Sequence, residues 1–223
     1  MKRVRFSIWT AMLGLSLSAA VSATPSQAEV DDLIKLAEQG DSGAQYNLGV
    51  LYVNGDGVGQ DLEHAISLFR KSAEQGDARG QNSIGVMYAT GRLGSADDEK
   101  AATWYLKAAK QGLAKAQNNL AILYASGRGV PQDYKQAVAW YYEAAKQGYS
   151  DAQFNLGNMI YNGNGIPKDD IQAYAWFYLA KSNGANEAAD ALNDISRDLT
   201  IGQLTEAKEL AAQFIAEYPA KEN

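Results

Sequence analysis

The chain has 223 residues, of which 46% are hydrophobic and 21% charged, the composition of a soluble protein with a packed core. Its formal charge of −6 becomes −9 once the first 23 residues, which carry Lys2, Arg3 and Arg5 and no acid, are set aside. An acidic body without basic clusters argues against a nucleic-acid or anionic-membrane surface. The absence of cysteine excludes disulfides, thiolate metal sites, cysteine nucleophiles and acylation of a cysteine.

Residues 1–23 have the three parts of a secretory signal. Lys2, Arg3 and Arg5 form the positive start, Ile8 to Val21 the apolar stretch, and Val21-Ser22-Ala23 the small residues of a cleavage site. A second cut is available after Ala28, in Ser26-Gln27-Ala28. The apolar run is short for a bilayer span, which needs about 20 residues. Residues 24–29 read as a linker. Residues 30–40 read as a lone capping helix, since Leu33, Ile34 and Ala37 recur at helical spacing before Gln39-Gly40.

From there the chain repeats itself every 36 residues. The segments Ala37–Ser72, Ala73–Ala108, Ala109–Ala144 and Ala145–Ala180 align without insertion, and residues 41–184 form four units. A fixed period of this length is the mark of an array in which each unit buries its apolar face against its neighbours. In each unit a glycine loop separates two helices. The first begins near Ser42, with Ala44, Leu48, Leu51 and Tyr52 on one face. Gly55 with Gly57, Gly127 with Gly129 and Gly163 with Gly165 end it in three units; Gly91, Leu93 and Gly94 predict a different loop path in the second. Asp61, Asp97, Asp133 and Asp169 stand where the second helix must start and offer carboxylates to its free amides. Asp133 with Gln136 and Asp169 with Gln172 have capping-box spacing. Gly76, Gly112, Gly148 and Gly184 end the second helices. Gly49, Gly85 and Gly157 lie mid-helix, where glycine costs about 1 kcal/mol against alanine, and predict a close backbone approach.

Beyond Gly184 the period decays. Residues 185–218 read as two capping helices, the second boxed by Thr200 and Gln203, and residues 219–223 as a polar tail. The whole is an all-α solenoid of helix-turn-helix repeats.

Chemistry-bearing motifs are missing. His64 is the one histidine, placed for a surface or capping role. There is no His-Glu-x-x-His, no Gly-x-Ser-x-Gly, no Gly-Lys-Ser/Thr, and no serine followed three residues on by lysine. The acids Asp97, Asp98 and Glu99 are better explained by a helix start than by a glycosidase pair. The sequence therefore predicts no catalytic residue, no metal and no cofactor. Trp104, Trp140 and Trp176, at equivalent positions, read as packing residues between helices.

These residues resemble the tetratricopeptide pattern: Leu48-Gly49-x-x-Tyr52 in the first helix and Ala65-x-x-x-Phe69 in the second. The period of 36, the glycine loop running into Val-Pro or Ile-Pro, the pairs Trp104-Tyr105, Trp140-Tyr141 and Trp176-Phe177, and the Ala-x-Gln-Gly junction resemble the Sel-one-like repeat family more closely. Departures are Leu93 in the second loop, Ile160 in place of a tyrosine and Leu68 in place of a tryptophan. The resemblance implies a right-handed superhelix of helix pairs that acts as an interaction scaffold, in the periplasm or secreted. Its partner would be an envelope or secreted protein or peptide, with no nucleic acid and no stable membrane insertion after signal cleavage. Further readings that it implies are a periplasmic inhibitor of a membrane sensor and, less directly, a peptidoglycan- or β-lactam-acting enzyme. If the first helices line the concave side, as in tetratricopeptide folds, fourteen positions face the partner. They are Arg79 and Lys115; Tyr46, Asn82, Asn118 and Phe154; Val50, Val86, Ile122 and Asn158; and, at the rim, Asn54, Thr90, Ser126 and Asn162.

Overall fold

A computed structural model describes residues 25–218. Residues 1–23 and 219–223, read above as signal and tail, lie outside it. The described residues form eleven helices: α1 (Gln27–Glu38), α2 (Ser42–Asn54), α3 (Leu62–Glu74), α4 (Ala78–Ala89), α5 (Asp98–Lys110), α6 (Ala114–Ser126), α7 (Tyr134–Ala145), α8 (Ser150–Asn162), α9 (Asp170–Ser182), α10 (Ala188–Asp198) and α11 (Ile201–Glu217). From α1 to α9 each helix packs on the one before and the one after it, so α2/α3, α4/α5, α6/α7 and α8/α9 are the four hairpins of a solenoid.

The array begins earlier than the apolar spacing predicts. The expected linker over 24–29 gives way to helix at Gln27, because Ser26 and Glu29 form a capping box. Glu29 accepts from the Ser26 amide at 2.7 Å, and the Glu29 amide donates to Ser26 Oγ at 3.4 Å.

Aspartates start the second helices as expected. Asp61, Asp97, Asp133 and Asp169 accept from the amides of His64, Lys100, Gln136 and Gln172. The boxes predicted at Asp133 and Asp169 do not form, since the cap amide that Gln136 or Gln172 would bind is already used. Asp133 N donates to Tyr124 O at 2.9 Å, and Asp169 N to Ile160 O at 3.4 Å, stitching each cap to the preceding helix across the glycine loop. At the far ends the left-handed glycine lets two amides reach back. Gly76 N donates to Ala73 O and Asp77 N to Ser72 O, both at 3.1 Å, and the pattern recurs in the later units.

The mid-helix glycines are explained by aromatic rings instead of backbone. A Cβ on Gly85 would stand 2.6 Å from the Tyr105 ring, and Gly49 and Gly157 meet Phe69 and Phe177 in the same way. Three of the four second helices, α3, α5 and α9, thereby seat a buried ring on the bare backbone of their own partner, while Ala121 holds the position in the third unit. In the second loop, Leu93 occupies the place of a glycine and packs on the cluster of Ile66, Phe69 and Met87. There α4 closes on Thr90 in right-handed conformation, whose Oγ1 donates to Val86 O at 2.8 Å. Where the glycine is kept, it is required: at Gly129 (φ 66°) a side chain would overlap the Asp98 carbonyl.

Between units the tie is a buried glutamine. Gln117 Nε2 donates to Ala109 O at 3.2 Å, while its Oε1 accepts from Gln147 Nε2 at 2.8 Å. Gln45 with Gln75, Gln81 with Gln111, and Gln153 with Asn183 repeat this clip. The last apolar face is closed by α11, which lies on α9: Trp176, 3% exposed, stacks on Tyr218 at 5.5 Å and meets Phe214 at 4.7 Å.

Candidate functional site

The fourteen predicted positions lie on or at the ends of the first helices α2, α4, α6 and α8 and differ in exposure. Asn54, Arg79, Thr90 and Asn162 are exposed. Tyr46, Val50, Val86, Lys115, Ser126, Phe154 and Asn158 are half-buried. Asn82, Asn118 and Ile122 are buried, at 6%, 2% and 6% exposure, which corrects their assignment as freely offered contact residues. Their burial has a clear cause. Asn119 Nδ2 donates to Asn82 Oδ1 at 3.1 Å, and Asn155 Nδ2 to Asn118 Oδ1 at 3.0 Å, so the two asparagines serve as acceptors between adjacent first helices. Ile122 joins the core that surrounds Tyr141 and Leu156.

Asn119 and Asn155, both half-buried, belong to this surface and were not among the predicted positions. A partial signal was present, since Asn47, Asn119 and Asn155, with Ser83 in the second unit, hold one position of the first helix. The recurrence reads as packing until the bond to the preceding unit is seen.

A charged row flanks the amides. Arg79 pairs with Asp77 at 2.7 Å and lies over the Tyr46 ring at 4.6 Å. Its hydrogen bonds and charge outweigh a partial desolvation that acts the other way and hold the Asp77 carboxyl below the usual range. Lys115 and Asp151 follow at the equivalent positions. Desolvation lowers Lys115 from its ordinary value, with the Asp151 charge opposing it. Desolvation, with the charge of Glu187, raises Asp151, against a hydrogen bond from Tyr149 and the charge of Lys115. The ends of the face are aromatic: Tyr46 packs against Phe69 at 5.6 Å and Phe154 against Phe177 at 5.7 Å.

Among the described residues no group of three His, Cys, Asp or Glu side chains is placed to hold a metal ion, and no helix is long and apolar enough to cross a membrane. His64 is exposed and rests on the Tyr52 ring at 4.4 Å. What this geometry offers is a polar face with aromatic ends on a helix-hairpin solenoid, a class of fold that commonly serves as an interaction scaffold.

Comparison with known families identifies which one. The Sel1 repeat model matches residues 42–77, 78–113, 114–149 and 150–184, and the chain belongs to that family. Among solved structures it resembles a protective antigen with an SLR fold present in uropathogenic Escherichia coli strains, at 42% identity and a TM-score of 0.80, covering 88% of this chain and 42% of the other. A Sel1 repeat protein of Oxalobacter formigenes matches at 36% identity and a TM-score of 0.68, over 77% of this chain and 49% of that one. This chain thus spans less than half the length of either. An immunity protein of Pseudomonas aeruginosa, at 24% identity and a TM-score of 0.53, covers 89% of this chain and 77% of its own and shares the fold. Curated proteins give no match.

Proposed function

We propose that the protein is an exported, non-enzymatic scaffold that holds an envelope or secreted protein on the concave face made by α2, α4, α6 and α8. The observation that carries this reading is the contrast between fixed and changing letters. Caps, clips and ring-seating glycines are shared between units. The accessible positions change, through Tyr46 and Phe154, Val50, Val86 and Asn158, and Arg79 and Lys115. A face built to one plan but differing in chemistry along its length suits a partner that is itself irregular.

Export is supported by the basic start, apolar stretch and small residues of 1–23. Of the two cleavage positions, Ala23 is favoured, because a cut after Ala28 would remove Ser26 from the capping box that opens α1 and Pro25 from its place beside Gly57. The Escherichia coli relative is described as a protective antigen, which accords with a chain that leaves the cytoplasm. The acidic charge argues against nucleic acid, and no cofactor is assigned.

The test is site-specific photo-crosslinking in living cells. A photoreactive side chain at Thr90 or Asn158, on the first helices, is expected to trap a defined protein. The same group at Lys107 or Glu143, on the exposed side of second helices, is expected to trap none. Crosslinks that form only from Lys107 and Glu143 would refute the concave-face assignment.

A further inference from the structure

We propose that Tyr142 and Tyr218 form an oxidative crosslinking site, where a haem peroxidase with hydrogen peroxide joins the two rings and staples α11 across α9 to α7. The two hydroxyls lie 3.4 Å apart, on residues separated by 76 positions in the chain. Among the described residues no other pair of tyrosine hydroxyls is hydrogen-bonded to each other. One indole positions both rings: Trp176 stacks on Tyr218 at 5.5 Å and meets Tyr142 edge-on at 6.1 Å. Phe214 adds a contact to Tyr218 at 5.8 Å. The indole is buried, so the rings that an oxidant reaches are the phenols, with Tyr142 39% exposed and Tyr218 half-buried. Tyr174 and Tyr178 also stack, at 6.2 Å, but the Tyr174 ring is enclosed.

The peroxidase takes one electron and one proton from each phenol. Hydrogen peroxide accepts the two electrons and two protons and becomes two molecules of water. Each phenoxyl radical carries spin on a ring carbon beside its oxygen, Cε. The two Cε atoms couple, and each then passes its hydrogen to its own oxygen, which restores both phenols. The pair has lost two hydrogens and gained one carbon–carbon bond. In that product the hydroxyls stand side by side, flanking the new bond, and the 3.4 Å contact already holds them in nearly that arrangement. The place of the bond gives it a use. The last helix, α11, packs on α9, and a chain without cysteine has no disulfide to tie it down. A link from Tyr142 to Tyr218 closes a long loop and restrains the unfolded chain as a disulfide would. Tyr142 is on α7 and Tyr218 closes α11, so the outcome is independent of the concave-face reading.

Treatment of the purified exported form with a haem peroxidase and limiting hydrogen peroxide tests this. The expected product runs as a monomer on a denaturing gel, is lighter by two hydrogens and shows dityrosine fluorescence. Trypsin should release peptides 136–146 and 209–221 joined to each other. Tyr142→Phe and Tyr218→Phe, which keep a ring against Trp176, should each abolish the joined peptide. Tyr141→Phe, within the same peptide, should leave it. In the linked protein the amides of α11 should exchange more slowly and the urea midpoint should rise. Tyr142→Phe treated in the same way should show neither change. Coupling confined to Tyr174 with Tyr178, coupling only between separate chains, or a joined peptide that survives Tyr142→Phe overturns the site. A joined peptide with exchange in α11 unchanged overturns the staple.

Discussion

Ser72 is a buried hydroxyl without a use. It is 0% exposed, its Oγ has no hydrogen-bond partner, and the equivalent positions hold Ala108, Ala144 and Ala180. An unsatisfied buried hydroxyl costs about 1–3 kcal/mol. Ser72→Ala is therefore expected to raise the urea midpoint by an amount equivalent to about 1 kcal/mol or more; a lower midpoint would contradict the assignment. Asp151 makes a pH-dependent counterpart. Its folded pKa is raised, mainly by desolvation, so it favours the folded state only when protonated, and that contribution is lost as pH rises through the folded value. Asp151→Asn should then be more stable than the parent at neutral pH. The difference should shrink as pH falls from the folded value toward 3.8, the ordinary aspartate value, and be gone below it. Equal urea midpoints at neutral pH would count against it. At this scale the sequence was legible in part. Arg79 and Asn162 are exposed and Asn158 is half-buried. Asn82 and Asn118 were read as facing a partner and are buried. Their partners Asn119 and Asn155 lie 37 residues on, and the step from one unit to the next that brings them together is a property of the superhelix, invisible in a period of 36.

Helix ends were the most legible elements, because an aspartate or glycine at a boundary acts on amides a few residues away. The aspartates of α3, α5, α7 and α9 cap as their spacing requires. The boxes failed at Asp133 and Asp169 because Tyr124 O and Ile160 O, nine residues back in each case, compete for the same amide. The glutamine clips were readable as recurrence only, since Gln117 and Gln147 meet across 30 residues of chain. The terminal cap was anticipated as two helices, but the docking of α11 on α9 depends on Trp176, Phe214 and Tyr218 meeting in space. Phe214 is half-buried, so Phe214→Ala should cost roughly 2 kcal/mol, below the range for a fully enclosed ring. It should also shift Trp176 emission to the red as water reaches the indole. An unchanged spectrum would show that α11 does not seal the array.

For the whole molecule, repeats that touch only their neighbours divide the work between letters that hold the stack and letters that face outward. Rings on glycines, glutamine clips and aspartate caps account for the stack. On the proposed reading, the face of the first helices, with its bonded asparagines between Tyr46 and Phe154, is left to account for binding. Hydrogen exchange on the captured complex against the free protein tests this most directly. The account predicts new protection in α4, α6 and α8, with α5 and α7 exchanging as before. Protection gained on α5 and α7, with the first helices unchanged, would contradict it.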